Sequence, residues 1–249
     1  MTDAIRFEMK GDVAELCLCA PERRNAIGSQ EINLVKSAIA SIPDTCRLFV
    51  IRSEGPVFCA GANLKEITDG TMDGDDFQSM TNAIASLAMP SLAIVEGDVF
   101  GGGAELLFSC DFRLGVTGKH LKIPAAAVGL CYPVEGIQRM TQRLGSTLVR
   151  KLLLTTELVS FEELAQHNAF DWLVPSNQIE AESKALIARL SGLAPLSMAA
   201  MLAIVKSVEE DRFDRAAAQV LADACSQSED LSEGLLAMRE KRAPVFKRR

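Results

Sequence analysis

Apolar and polar positions alternate over residues 5–9 and again over 13–19, on either side of Lys10-Gly11-Asp12, which predicts a β-hairpin. The period then lengthens. Ile32, Val35, Ile39 and Ile42 share one face of a helix over residues 30–41, which Ser29 can cap. Leu48-Phe49-Val50-Ile51 is a short apolar strand ending before the Gly55-Pro56 turn, and Asp75 or Asp76 can cap a helix carrying Phe77, Met80, Ile84 and Leu87. Pro90 stops that helix, and Ser91 to Val95 is the next buried strand. Gly101-Gly102-Gly103 then opens an apolar helical stretch to Cys110, with another strand from Phe112 to Val116. From Val134 onward the pattern is helical, interrupted near Trp172-Leu173-Val174-Pro175. Strand, glycine turn, helix, strand is the rhythm of a layered α/β domain. The chain divides into an α/β core over residues 1–194 and a helical part over 195–249 that starts at Pro195.

Composition narrows the classes. Hydrophobic residues at 48% and charged residues at 24% are ordinary globular usage, so disorder is not the default. No apolar run approaches the ~18 residues of a membrane span. Residues 1–11 carry Asp3, Arg6, Glu8 and Lys10 and have no apolar stretch of signal-peptide type, so a cytoplasmic location is expected. The formal net charge of −7 argues against a general nucleic-acid binder. Lys241, Arg242, Lys247, Arg248 and Arg249 nonetheless make a basic tail, either a solvated end or a holder of phosphates. The seven cysteines are odd in number and form no C-x-x-C pair, which predicts reduced core thiols and no metal site. With only His120 and His167, a histidine triad has little material.

Two glycine-rich turns carry candidate chemistry. Phe58-Cys59-Ala60-Gly61-Ala62-Asn63-Leu64 follows a strand, and its small residues let a ligand approach the main chain closely. At the second, Gly101-Gly102-Gly103, first-turn N–H groups lack intrahelical partners and lie at the positive end of the dipole. Converging on one point, the turns would form an oxyanion hole, in which each donor contributes about 3 kcal/mol to transition-state stabilisation. Taken singly, a triple glycine at a helix start more often serves tight packing against a neighbour.

The combination resembles a known family. Arg24-Asn25-Ala26, the segment Phe58 to Glu66, Val95-Glu96-Gly97 leading into Gly101-Gly102-Gly103-Ala104-Glu105-Leu106, Gln138-Arg139-Met140 with Leu144-Gly145, and Glu240 to Phe246 are similar, in order and spacing, to the crotonase (enoyl-CoA hydratase/isomerase) superfamily. The resemblance covers nearly the whole chain. It implies an α/β fold with a crotonase-like ββα spiral core and a helical C-terminal trimerisation region, assembled as a homotrimer or hexamer. It implies action on an acyl-CoA or acyl-carrier thioester through an enolate, with coenzyme A as part of the substrate and no prosthetic group.

Residue by residue, the resemblance places the thioester oxygen between the N–H groups of Ala62 and Gly102 and makes Glu105 a proton-transfer carboxylate. Ala60, Ala62 and Leu64 would contact coenzyme A through their backbones, Arg24 its pantetheine or phosphates, and Lys241 with Phe246 would reach in from the C-terminal helices. Two departures matter. Ala125 stands where ordinary hydratases carry a second glutamate, and Pro133, which has no N–H, falls on the glycine that helps hold their water. The expected function is therefore a hydratase or dehydratase relying on Glu105 alone. The alternatives are isomerisation or decarboxylation drawing on Tyr132 and Glu135, or a non-catalytic thioester- or RNA-binding homologue. For Tyr132 a role as pocket wall and one as donor to the substrate head group both stand.

Overall fold

The computed structural model describes residues 4–247. Strands β1 (Ile5–Lys10) and β2 (Val13–Leu18) form the predicted hairpin, with Lys10 opposite Val13 and Gly11 taking the turn at φ 65°. Helix α1 (Ser29–Ala40) leads to β3 (Leu48–Ser53) and β4 (Val57–Cys59). Helices α2 (Leu64–Thr68) and α3 (Gly74–Ala85) precede β5 (Ser91–Val95), β6 (Asp98–Phe100), α4 (Gly102–Ser109), β7 (Phe112–Val116) and β8 (His120–Lys122). Then come α5 (Val134–Leu144), α6 (Ser146–Arg150), β9 (Val159–Ser160), α7 (Phe161–Gln166) and β10 (Trp172–Val174). Helices α8 (Ile179–Ser191), α9 (Pro195–Glu209), α10 (Arg215–Ser226) and α11 (Glu229–Glu240) complete the chain. No single helix among the described residues is long and apolar enough to cross a membrane.

Two sheets organise these elements. The larger has the order β1-β2-β3-β5-β7-β10, parallel except for the hairpin, and the smaller the order β4-β6-β8-β9. Because side chains alternate along a strand, the large sheet buries both faces. Phe49, Ile51, Ala93 and Val95 meet Ile32 and Val35 of α1 and Met80 and Ile84 of α3. Leu48, Val50, Leu92 and Ile94 face the other way, against Ile179, Leu186 and Leu190 of α8. Each such aliphatic side chain contributes about 1.5–3 kcal/mol when fully buried.

Some local expectations need correction. Gly28, not Ser29, is the N-cap of α1; Glu31 accepts the Gly28 N–H at 2.9 Å, and the Ser29 hydroxyl is committed to Glu66. Asp73 caps α3 by accepting the N–H groups of Asp75 and Asp76, which sit inside the first turn. That helix ends at Ala85, so Leu87 and Pro90 lie beyond it. Near Trp172 the helical pattern gives way to a sixth strand, held by its parallel register with β7 (Trp172 opposite Leu114). The smaller sheet, with strands of two or three residues, carries no sequence period long enough to detect. The cysteines are all free, with Cys17, Cys46, Cys59 and Cys110 buried, but Cys131 is exposed and so is not a core thiol.

Candidate active site

Both glycine turns leave the C-terminal ends of parallel strands, where open α/β sheets present their clefts. β3 feeds β4 and β5 feeds β6, and these short strands pair in parallel, with Cys59 beside Val99. Residues 60–62 therefore run alongside residues 100–102. Contact is close: an ideal Cβ on Gly61, at φ 87°, would lie 2.4 Å from the Gly102 nitrogen, and one on Gly103 2.4 Å from the Cys59 carbonyl oxygen. Gly102 abuts the Phe77 ring at 2.8 Å on the same construction. Only glycine fits at these three positions.

The two N–H groups named above are left free by this arrangement. Ile27 donates to the Gly61 carbonyl at 2.8 Å and accepts from the Asn63 N–H at 2.8 Å, a parallel bridge opposite Ala62. Ala62 must then turn its own N–H away from Ile27. Gly102 is the first residue of α4, so its N–H has no intrahelical partner. Among the described residues neither N–H meets a backbone acceptor outside the regular elements. Lying on adjacent turns, they are the candidate donors for one anionic oxygen.

Glu105 lies three residues beyond Gly102, on the same face of α4. It is 1% exposed. Its Oε1 lies 2.7 Å from the Thr81 hydroxyl of α3 and 3.9 Å from Nη1 of Arg139 on α5, while Oε2 has no hydrogen-bond partner. Burial pushes the carboxyl pKa above its ordinary value; Thr81 and Arg139 pull it down in part, and the Glu135 charge adds to the rise. Gly136 lets α5 come this near, since a Cβ there would sit 2.9 Å from the Glu105 carboxyl carbon.

The other predicted residues divide into three groups. Arg24, Ala60, Ala62 and Leu64 share one rim: the Ala60 N–H donates to the Arg24 carbonyl at 2.9 Å, and the side chains of Arg24 and Leu64 are exposed. Tyr132 is buried beside the hole, its hydroxyl donating to the Gly101 carbonyl at 3.1 Å. Glu135 is exposed in the first turn of α5. It pairs with Asn82 of α3 and faces a cleft of about 450 Å³ shared with Ser86, Arg139, Lys206 and Arg212. Lys241 and Phe246 are elsewhere. The Phe246 carbonyl accepts from Arg47, just before β3, whereas Arg24 lies beyond the strand's other end, ~17 Å away at the usual rise. Within one chain these two residues do not join the rim. Of the basic tail, Arg242 is engaged by Glu233 at 2.6 Å, and Arg248 and Arg249 lie outside the described residues.

Ala125 is buried at the start of a single helical turn, and Pro133 immediately precedes α5. Ala125 has no side-chain acid, and Pro133 has no N–H to donate.

Several supporting residues were not singled out by the sequence. Asn25, at φ 54°, accepts the Ala20 N–H and donates to the carbonyls of Glu54 and Val57, tying the loop after β2 to the turn before β4. The Cys59 thiol accepts the Gly61 N–H at 3.3 Å. Glu66 accepts from the Ser29 N–H and hydroxyl at 2.8 and 2.7 Å and from Asn63 at 2.8 Å. Gly136, an isolated glycine inside a helical pattern, was the one with a readable signal. Cys17, Cys19 and Glu54 also place ligand atoms within 4.8 Å of one another. Glu54 is already paired with Arg6 at 3.0 Å and burial pushes the Cys17 thiol up to about 12, a poor setting for a cation.

Comparison with known proteins gives the family. The family model described as enoyl-CoA hydratase/isomerase matches residues 8–249. A probable enoyl-CoA hydratase of Mycobacterium tuberculosis is 27% identical over 99% of both chains, and a carnitinyl-CoA dehydratase of Salmonella typhi is 28% identical over 100% of both. A methylglutaconyl-CoA hydratase of Mus musculus is 28% identical over 90% of this chain and 76% of its own. Among solved structures, an enoyl-CoA hydratase/isomerase family member superposes with a TM-score of 0.90 at 25% identity, covering 98% of this chain and 97% of its own. An enoyl-CoA hydratase/carnitine racemase from Magnetospirillum magneticum shares the fold, with a TM-score of 0.92 at 22% identity over 100% and 97% of the chains. The chain thus belongs to the enoyl-CoA hydratase/isomerase family, within the crotonase superfamily.

Proposed function

We propose that this protein is a hydratase or dehydratase of acyl-CoA thioesters that works through an enolate with Glu105 as its only catalytic carboxylate. The observation that carries this reading is the unpartnered Oε2 of a buried glutamate, one helical turn past a free N–H donor. With the thioester oxygen on the Ala62 and Gly102 N–H groups, negative charge building on that oxygen is stabilised only as the enolate forms, which lowers the barrier. In hydration, Glu105 takes a proton from water as the water oxygen bonds to Cβ of the enoyl group, then returns that proton to Cα as the enolate collapses. Dehydration is the reverse.

Glu105 must hold the proton in between, and its surroundings suit both states. The Thr81 hydroxyl lies 2.7 Å from Oε1 and 3.0 Å from the Gln78 carbonyl. It donates to the carboxylate, or accepts from the carboxylic acid and turns its own proton to Gln78. A raised pKa brings the two states closer in energy near neutral pH.

The rim of Arg24, Ala60 and Leu64 would take the coenzyme A moiety. Apolar residues exposed on the last three helices, among them Met201, Val205, Val220, Leu235 and Met238, support assembly into a homotrimer or hexamer. Lys241 and Phe246 would then serve a neighbouring chain's coenzyme A. The test is crotonyl-CoA hydration. The unsubstituted protein should turn over, and Glu105→Gln should lose about 10²- to 10⁴-fold in kcat; full turnover by Glu105→Ala would remove Glu105 from the mechanism.

A further inference from the structure

The peptide joining Gly101 to Gly102 has two working ends. Its N–H is one of the free donors, and its carbonyl accepts the Tyr132 hydroxyl at 3.1 Å as well as the Ala104 N–H at 3.0 Å. A trans peptide is planar, so fixing the carbonyl fixes the direction of the N–H opposite it. A donor on the carbonyl also draws electron density from the amide, making the N–H more positive, as in any polarised hydrogen-bond chain.

Gly101 needs such a restraint. Its φ of 52° and ψ of −125° lie in a region readily open only to glycine, where a flip of the following peptide would turn the Gly102 N–H away from the site. On its other side, the Gly101 N–H donates to the Lys122 carbonyl at 2.9 Å. Tyr132 comes from the segment leading into α5, so its bond also ties the helix that confines Glu105 to the turn that holds the donor.

We infer that Tyr132 is a positioning residue of the oxyanion site, its hydroxyl donating to the Gly101 carbonyl and thereby orienting and polarising the Gly102 N–H for the thioester oxygen. The inference rests on the functional reading above. It assigns the hydroxyl to the main chain and not to a substrate head group. Burial among apolar residues keeps the phenol protonated, and therefore a donor, across the neutral range.

Tyr132 is the only tyrosine in the chain, so biosynthetic incorporation of 3-fluorotyrosine alters this one phenol, making it more acidic and a stronger donor. The probe is crotonyl-CoA carrying ¹³C at the thioester carbonyl, followed by isotope-edited infrared spectroscopy of the bound species and by hydration kinetics. The carbonyl band should fall furthest in frequency in the fluorotyrosine protein, less with tyrosine and least in Tyr132→Phe. The kcat of Tyr132→Phe should drop about three- to tenfold with KM nearly unchanged, as expected for one hydrogen bond. A purely structural role moves with the loss of the hydroxyl but does not follow phenol acidity. One band position in all three proteins, or a change in the phenylalanine variant alone, overturns the inference while leaving the functional reading standing. Failure of the unsubstituted protein to bind the thioester overturns both.

Discussion

Around Gly102 the supports are buried: the Phe77 ring, the Cys59 carbonyl beneath Gly103, and the phenol of Tyr132 on Gly101. Around Ala62 they are polar and partly open to water: the Ile27 bridge, and a carboxylate, Glu66, gathering Ser29 and Asn63. The two donors proposed to act on one oxygen are thus fixed by different physics. The Gly102 side is held by buried hydrogen bonds on the Gly101 carbonyl and by excluded volume, which tolerates no added atom. The Ala62 side is held by hydrogen bonds that water can replace at modest cost. The division suits an enzyme whose acyl group lies inside and whose coenzyme lies outside, because the rim can yield to a ligand while the proton-transfer wall cannot.

The largest expected effect comes where the two sides touch. Gly61→Ala adds a methyl 2.4 Å from the Gly102 nitrogen at a φ of 87°, so strain and overpacking should together cost about 3 kcal/mol or more and abolish hydration. Gly70→Ala is the control, with φ 69° and nothing within 4 Å of the added carbon; it should cost only about 1 kcal/mol and leave turnover intact. Thermal unfolding and crotonyl-CoA assays separate the two. Equal effects would show that close approach is not what holds the donors together.

Next in size is the buried side. Glu105→Gln keeps shape and packing, so the expected loss of about 10²- to 10⁴-fold in kcat should come with a native thermal transition. On the open side, Glu66→Ala should cost only about 1 kcal/mol of stability, its partners turning to water, and should raise KM for crotonyl-CoA more than it lowers kcat. If Glu66→Ala instead matched Glu105→Gln in kcat, the contrast between a rigid wall and a yielding rim would fail.

The parts legible in the sequence follow the same contrast. The hairpin, the helices at residues 30–41 and beyond Asp73, and the strands around Val50, Ile94 and Leu114 were visible because each carries a local period. The two proposed donors rest on the family resemblance, since small residues at a strand end serve tight packing as well. Thr81 stayed hidden, and Asn25 and Arg139 were seen only as motif positions without a role: Thr81 meets Glu105 across 24 positions, and nothing near either in sequence encodes that contact. The second sheet stayed hidden for a related reason, since Val57–Cys59 and Asp98–Phe100 are strands only because they pair with each other. Phe246 shows the limit of motif transfer, for its position within one chain follows from Arg47, which no motif contains.

The smallest effect is also the cleanest contrast, because the pKa values of the two carboxyls are shifted in opposite directions. Burial raises the Glu105 pKa, so the stability associated with its protonated form is complete below about pH 4.5 and is lost as pH rises through the raised value. Hydrogen bonds from Ser29 lower the Glu66 pKa; its contribution is complete above about pH 4.5 and is lost as pH falls through the lowered value. Urea midpoints of the unsubstituted protein, Glu105→Gln and Glu66→Gln between pH 3.5 and 8 isolate each group, since all other titrations cancel in the differences. The advantage of the unsubstituted protein over Glu105→Gln should shrink with rising pH, and that over Glu66→Gln should shrink with falling pH. Neither slope can exceed ~1.4 kcal/mol per pH unit for one proton. Two slopes of the same sign would mean that both carboxyls sit in one kind of environment, and the proton-holding role of Glu105 would lose its physical basis.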